Sequence, residues 1–192
     1  MKNRMPKKEK EFAEKVVRVD RVTRVVKGGR RLRFRATVLV GDHKNRVGLG
    51  VAKANEVSDA VTKAANKAKK NLINVPIINN TIPHQINAKY CAGCVLLKPA
   101  TEGTGVIAGG AVREVLEISG VKNVVAKNLG SRNKINSSKA TIEALKALRL
   151  PDDIYQVRGI EKPVRFSGQA KSASNNDQPQ APVKPAKKAE KK

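Results

Sequence analysis

The sequence predicts an α+β fold made of two successive units. Valine-rich strands between residues 16 and 51, followed by an amphipathic helix, predict a first unit of three antiparallel strands covered by one helix. Between residues 75 and 150 the pattern predicts three more strands, a helix, a strand and a last helix, in the order βββαβα. A glycine-rich loop at residues 99–110 leads into the first helix of this second unit.

The composition points to a polyanionic partner. The chain has 192 residues, with 40 Lys and Arg against 16 Asp and Glu, and a formal net charge of +24. Such charge opposes compaction unless an anion such as nucleic acid neutralises it. Aromatic residues make up 3% and Trp is absent, which disfavours base stacking and favours recognition of the backbone and shape of folded RNA or DNA. No apolar run is long enough to span a bilayer and no secretory signal opens the chain, so a membrane partner is not expected.

The first unit begins after a polar stretch. Residues 1–15 are mostly charged and predict a mobile basic arm. The first strand is expected to start at Val16, and a slip in the valine phase between Val19 and Val22 predicts a bulge. The segment Lys27-Gly28-Gly29-Arg30 predicts a hairpin turn in which both glycines are free to take positive φ.

The second strand has two contrasting faces. Apolar residues alternate from Leu32 to Val40 and predict a buried face. Arg31, Arg33 and Arg35 stand on the opposite face and would repel one another without an anion nearby. This face either binds an anion, which we favour because the neighbouring loop is basic, or is simply solvated.

The third strand and the helix complete the unit. A turn at residues 41–45 exposes His43, and residues 47–51 form a strand in which Gly48 and Gly50 allow another element to pack close. Asn55 is the expected N-cap of a helix that runs to about Leu72. Its outer stripe is rich in lysine: Asp59, Lys63, Asn66, Lys67 and Lys70. The basic hairpin and the basic helix together predict an RNA-binding module.

The second unit follows a boundary at residues 74–76. Its elements are expected at 77–82, 85–90 and 94–98 (strands), 110–119 (helix), 121–126 (strand) and 137–148 (helix). The pattern fades after Pro151, and from Ser167 the composition predicts a disordered basic tail. The predicted division is therefore 1–15, 16–74, 75–150 and 151–192.

Enzymatic and metal sites are not predicted. A glycine loop at a helix N-terminus suits an anion, although a tight connection without a ligand is equally consistent with the spacing. The loop lacks the Gly-Lys-Ser/Thr of a P-loop, and Glu102 is its only carboxylate. Cys91 and Cys94 form a single C-x-x-C, and the only histidines are His43 and His84, so we expect reduced thiols, no metal and no cofactor.

Several motifs together resemble one family. They are Val-Lys-Gly-Gly-Arg at 26–30, Val-Gly-Asp at 40–42, Arg-Val-Gly-Leu-Gly-Val-Ala-Lys-Ala at 46–54, Glu-Gly-Thr-Gly-Val-Ile-Ala-Gly-Gly at 102–110 and Asn-Leu-Gly-Ser at 128–131. Over residues 14–150 the chain resembles the bacterial-type fifth protein of the small ribosomal subunit. The resemblance implies an N-terminal fold like a double-stranded-RNA-binding domain without its first helix. It also implies a two-layer C-terminal domain with a left-handed crossover, against the usual handedness.

The resemblance also implies a function. A member of this family is a structural constituent of the cytoplasmic small subunit, binds its rRNA near the head–body junction and helps to line the mRNA entry channel. The hairpin, here residues 21–30, borders the spectinomycin site. The C-terminal domain faces the fourth small-subunit protein at an interface that affects decoding accuracy, here at Gly105 and Arg113, and the family contacts the eighth protein as well.

The predicted site is an RNA-binding surface with no catalytic residue and no small-molecule substrate. The rRNA-binding residues are expected to be Arg21, Arg24, Lys27, Gly28, Gly29, Arg30, Arg31, Arg33, Arg35, Lys53, Lys63 and Lys67. The chain departs from the family at Cys91, where glycine is expected, at Cys94, which is often basic, and at Lys134, where proline is common. A small-molecule kinase with the same second fold and a free-standing RNA-binding regulator are the alternatives.

Overall fold

The computed structural model describes residues 12–160, which form two sheets with helices. The first sheet consists of β1 (Ala13–Val26), β2 (Gly29–Gly41), β3 (Arg46–Ala54) and β4 (Leu72–Asn74), with α1 (Val57–Lys70) between β3 and β4. The strands are antiparallel in the order β1-β2-β3-β4. The predicted three strands and helix are confirmed, and β4 is an additional strand. The tail after Ser167 and most of the predicted basic arm lie outside the described residues.

Helix α1 packs close to the sheet. Its buried side chains are the alanines 60, 64, 65 and 68, which contact the even-numbered apolar residues 36, 38 and 40 of β2. A Cβ on Gly48 or Gly50 would collide with the carbonyl oxygens of Ala68 and Ala64. The close approach predicted from these two glycines is therefore confirmed.

The bounds of α1 differ from the prediction. The helix begins at Val57 after Glu56, which makes no side-chain capping bond, so Asn55 is not the N-cap. It ends at Lys70, because Leu72 pairs with Gly48 in β4.

The first strand also differs in detail. β1 begins at Ala13 and pairs with Gly41, so the last residues of the predicted arm belong to the sheet. The register shifts between Val16 and Arg18, not between Val19 and Val22. This bulge turns Val17 inward, where it is 5% exposed, whereas Val19 stays on the surface.

The second sheet is mixed. It contains β5 (Ile86–Tyr90), β6 (Gly93–Pro99), β7 (Val106–Ile107) and β8 (Val124–Asn128), and the helices are α2 (Gly110–Ser119), α3 (Lys134–Lys146) and α4 (Pro151–Arg158). The strand order is β5-β6-β8-β7, and β7 is parallel to β8 whereas the other pairs are antiparallel. Helix α2 connects the parallel strands β7 and β8, and the left-handed sense of this crossover stays a prediction.

The strand expected at 77–82 is wrong. Ile78 and Thr81 form an isolated bridge around Asn79 and Asn80, whose φ angles are +48° and +61°. Asparagine adopts this left-handed conformation more readily than other non-glycine residues, so the segment is a tight turn.

Other differences concern element ends and short elements. Helix α3 begins at Lys134 because the Asn133 side chain caps it by accepting from the Ile135 amide. The strand expected at 121–126 lies a few residues later, at β8 (Val124–Asn128). The short strand β7 and helix α4, which starts at Pro151, were not predicted.

The two sheets share one apolar core. Leu39 and Val47 of the first sheet belong to the same buried cluster as Leu116 of α2 and Leu145 of α3. This contact fixes the N-terminal sheet against the second unit on the face of β2 that α1 does not cover.

The β2–β3 turn reinforces this contact. The amides of His43 and Asn45 donate to the carbonyls of Ile118 and Ser119 at the end of α2, over 3.2 and 3.1 Å. His43 is exposed, as predicted, and its Nδ1 lies 2.9 Å from the Glu117 carbonyl oxygen. The end of β2 at this turn is anchored, and the opposite end carries the β1–β2 hairpin.

Candidate nucleic-acid interface

The β1–β2 hairpin extends beyond the rest of the sheet. β3 pairs with β2 only from Phe34 to Gly41, whereas β1 and β2 remain paired as far as Val26 and Gly29. Residues 21–33 therefore form a two-stranded extension, which we call the ribbon. Its tip is Lys27-Gly28, and Gly28 has a φ of +86°. Gly29 does not have positive φ, so only one of the two glycines uses the freedom predicted for both.

The ribbon is strongly basic. It contains no acidic residue and six basic ones: Arg21, Arg24, Lys27, Arg30, Arg31 and Arg33. All six are exposed, and none forms an ion pair within residues 12–160. Leu32, expected to be buried, is 42% exposed because no third strand or helix of the described part of the chain covers this end of β2. Since a two-stranded ribbon is marginally stable alone and its charges repel, it is suited to an anionic partner.

Four cations lie together on one side of the ribbon. Arg24 is directly opposite Arg31, and Arg33 is the next residue on the same face of β2. Lys53 of β3 is opposite Arg35 and shares this face. We call these four residues, Arg24, Arg31, Arg33 and Lys53, the arginine face. They line a concavity of about 250 Å³ with three ribbon residues from β1: Val22, Thr23 and Val26.

Arg35 has a different environment from its neighbours. Its Nη2 and Nε lie 2.7 and 3.2 Å from Oδ2 of Asp20, and Arg18 donates to the other oxygen of the same carboxylate. Arg35 therefore has its counter-ion within the chain, the carboxylate of Asp20. Asp20 is the one acidic residue between residues 15 and 41, and this is the signal in the sequence that could have identified the ion pair with Arg35.

Asp20, Arg18 and Arg35, which we call the Asp20 cluster, make stability depend on pH. The hydrogen bond from Arg35 holds the pKa of Asp20 below its ordinary value, partial burial opposes this shift, and Arg18 adds to it. A carboxyl with a lowered folded-state pKa stabilises the fold above its unfolded-state pKa of about 3.9 and loses that contribution as the pH falls through the folded-state value. We expect Asp20→Asn to lower the free energy of unfolding by about 1 kcal/mol at pH 7, measured in urea.

The same difference should vanish in acid. As the pH falls through the lowered folded-state pKa of Asp20, the wild-type carboxyl also becomes neutral, so the urea curves of wild type and Asp20→Asn should converge. A difference that stayed constant from pH 7 to pH 3 would contradict the ion-pair account and point to lost packing instead.

The lysines of α1 lie away from the arginine face. Lys63 and Lys67 are exposed on the outer side of α1, and α1 covers the opposite face of β2. The structure therefore brings Lys53 together with the ribbon arginines but separates Lys63 and Lys67 from them. If all twelve predicted residues contact RNA, they do so from two sides of the first unit.

The two predicted protein-interface residues lie in the second unit. The amide of Gly105 donates to Asn123 Oδ1 over 3.1 Å, its φ is +73°, and its carbonyl accepts from the Val124 amide. Arg113 is 58% exposed at its side chain and lies 2.7 Å from Glu117 on the next turn of α2. Lys15 of β1 contacts the other oxygen of Glu117 over 3.1 Å, and the hydrogen bonds from Arg113 and then Lys15 lower the pKa of this carboxyl.

No metal site is formed by the described residues. Within residues 12–160 no group of three or more His, Cys, Asp and Glu side chains is placed to hold an ion. Cys91 is exposed with a φ of +51°, and Cys94 donates to Asn87 Oδ1 over 3.1 Å. In the same part of the chain, no helix has the length and apolar character needed to cross a bilayer.

Comparison with known proteins identifies the family. Residues 12–76 match the family model described as ribosomal protein S5, N-terminal domain, and residues 88–158 match the model of its C-terminal domain. The small ribosomal subunit protein uS5 of Protochlamydia amoebophila is 52% identical, and the match covers 82% of this chain and 98% of that protein. The chain belongs to the ribosomal protein S5 family.

Proposed function

We propose that this chain is a structural, non-enzymatic protein of the small ribosomal subunit and that it binds rRNA chiefly through the ribbon. The observation that carries the proposal is the concentration of six cations, none of them in an ion pair with another residue of the described range 12–160, on an acid-free extension of the sheet. Arginine is suited to this contact because its planar guanidinium group donates two parallel hydrogen bonds to a phosphate.

The mode of recognition follows from the residue types. The ribbon carries no aromatic side chain for stacking bases, so the RNA backbone is the partner of its charges. A Cβ on Gly28 or Gly29 would meet no atom of the described residues within 4 Å, which leaves the backbone of the turn open to an approaching strand of RNA. Charge and accessible backbone at one tip favour insertion between rRNA segments.

The family resemblance supports a specific position in the subunit. There the ribbon enters rRNA at the junction of head and body, and the second unit faces the fourth and eighth small-subunit proteins beside the mRNA entry channel in the cytoplasmic ribosome. Gly105 and Arg113 are the residues proposed for the contact with the fourth protein.

Co-sedimentation tests the proposed function. Tagged full-length chain expressed in cells should travel with small subunits through a sucrose gradient and stay with them after a wash at moderate salt. Recovery only at the top of the gradient would contradict a ribosomal role and favour a free-standing RNA-binding regulator.

Substitutions in the ribbon should confer spectinomycin resistance. Because the ribbon is proposed to border the drug site, changing residues from Arg21 to Gly28 is expected to displace rRNA and weaken the drug without any direct contact. The measurement is growth of strains that depend on each variant over a series of drug concentrations. Uniform wild-type sensitivity, with normal subunit assembly, would count against this placement.

Arg113→Leu should increase misreading while leaving the fold intact. The exposed Arg113–Glu117 pair stabilises the helix by only about 0.3–0.5 kcal/mol, so thermal unfolding should hardly change. If the side chain also contacts the fourth protein, a reporter with a near-cognate codon should give higher error rates in cells that contain only the variant. Unaltered error rates would assign Arg113 to the surface pair alone.

A further inference from the structure

We infer that the arginine face is a clamp for one phosphodiester group of RNA, distinct from the more diffuse attraction of the remaining ribbon charges. This inference rests on the proposed function and adds to it the group that is bound and the residues that bind it. The clamp consists of Arg24 and Arg31 on opposite strands, with Arg33 and Lys53 at the end nearer the sheet.

The arrangement of charges is unfavourable without an anion. Arg24 and Arg31 are direct cross-strand neighbours on one face, and like charges in this relation destabilise a strand pair. Among residues 12–160 no carboxylate lines the concavity, and the nearest acid in the register, Asp20, is already engaged by Arg35 and Arg18. An anion held between the four cations would convert their mutual repulsion into attraction.

The size and lining of the concavity suit a phosphate with its sugar. Its volume of about 250 Å³ is several times the ~30 Å³ that one water molecule occupies in the liquid. Its apolar lining comes from Val22 and Val26, which can contact a ribose but offer no face for base stacking. The four charged groups are all donors, so they suit phosphate oxygens and supply no acceptor that would read the donor groups of a base.

The Asp20 cluster prepares the clamp. It forms ion pairs between Asp20 and both Arg35 and Arg18 at the point where the ribbon leaves the sheet, next to Lys53, which lies opposite Arg35 on β3. The cations left without an ion pair on this face are therefore concentrated around the concavity, within the part of the chain that the structure describes.

Thermal unfolding of the full-length chain tests the clamp. Inorganic phosphate replaces chloride at constant ionic strength, and wild type is compared with Arg24→Gln, Arg31→Gln and the control Lys27→Gln. Lys27 belongs to the same ribbon but does not line the concavity. Phosphate should raise the melting temperature of wild type and of Lys27→Gln, and it should have no such effect on the two clamp variants.

In chloride at low salt, Arg31→Gln should melt at a higher temperature than wild type, because the cross-strand repulsion between Arg24 and Arg31 is relieved.

An equal phosphate response in all four proteins would overturn the clamp. So would a lower melting temperature of Arg31→Gln in chloride, since the pair would then be stabilising in the free chain.

RNA binding separates the possible sources of the anion. When small-subunit rRNA is bound to wild type, adding inorganic phosphate should no longer raise the melting temperature, because a phosphodiester of the RNA already occupies the concavity. Poly-glutamate that displaced the rRNA equally well would overturn the choice of RNA and favour an acidic protein. If all variants, including Lys27→Gln, lose the same affinity for rRNA and the phosphate response is unchanged, the clamp is wrong and the proposed function stands. If none of the three variants loses affinity for rRNA, the clamp and the proposed binding of rRNA through the ribbon are both wrong.

Discussion

Gly50→Val should strongly destabilise the fold of the chain. A side chain at this position would collide with the Ala64 carbonyl oxygen and would place its Cβ 2.7 Å from the Ala68 amide nitrogen. Both are backbone atoms of α1, so the helix as a whole would have to move away from the buried faces of β2 and β3. We expect a loss of more than about 4 kcal/mol, out of a total that is commonly 5–15 kcal/mol. Circular dichroism and urea unfolding measure the effect.

Gly29→Ala is the matched control. A Cβ on Gly29 meets no atom within 4 Å, and its φ is not positive. Its free energy of unfolding should therefore stay within about 1 kcal/mol of wild type. A Gly50→Val protein that unfolded at the same urea concentration as Gly29→Ala would contradict the close packing of α1.

Replacing Lys27 and Arg30 together with alanine should flatten the salt dependence of rRNA binding. Each cation that neutralises a phosphate contributes about one unit to the slope of log affinity against log salt, so the slope should fall by roughly two. Fluorescence anisotropy of a labelled rRNA fragment over a series of KCl concentrations gives this slope. Both side chains are exposed and free of ion pairs within the described residues, so their loss should leave the fold unchanged.

A charge-conserving double variant is the control for this result. Lys27→Arg with Arg30→Lys keeps both cations at the tip and should retain the wild-type slope. An unchanged slope in the alanine variant would mean that the tip is solvated rather than bound to RNA.

Elements with local signals were well predicted. Helix α2 has the predicted bounds because glycines flank an apolar helical pattern at both ends, and Gly120 adopts the left-handed conformation that ends it. The alternation in β2 correctly placed Arg31, Arg33 and Arg35 on the face opposite Ala36, Val38 and Val40, which α1 covers. It did not predict that Leu39, on the same face as the arginines, is buried as well, because the second unit covers that end of the face. Gly48 and Gly50 predicted the close packing of α1, because a strand position without a Cβ lets another element approach closely whichever part of the chain that element comes from.

Features that depend on register or on distant residues were missed. Pairing of Asp20 with Arg35 requires the β1–β2 register, and a run of valines does not reveal that the bulge lies at Val17. The turn at Asn79-Asn80 carries its own signal, but the surrounding isoleucines predicted a strand. The separation of Lys63 and Lys67 from the arginine face follows from which side of the sheet α1 covers, and neither residue's local sequence specifies that side.

Photo-crosslinking from the ribbon in assembled small subunits tests the central claim most directly. A benzoylphenylalanine at Val25, which is 77% exposed, lies between Arg24 and the tip. Val157 of α4 is 88% exposed and serves as the comparison, because the first turn of α4 carries the acidic residues Asp152 and Asp153. On irradiation, position 25 should crosslink to rRNA, and more strongly than position 157. Subunits that assemble normally but show no RNA crosslink from position 25 would contradict binding of rRNA through the ribbon.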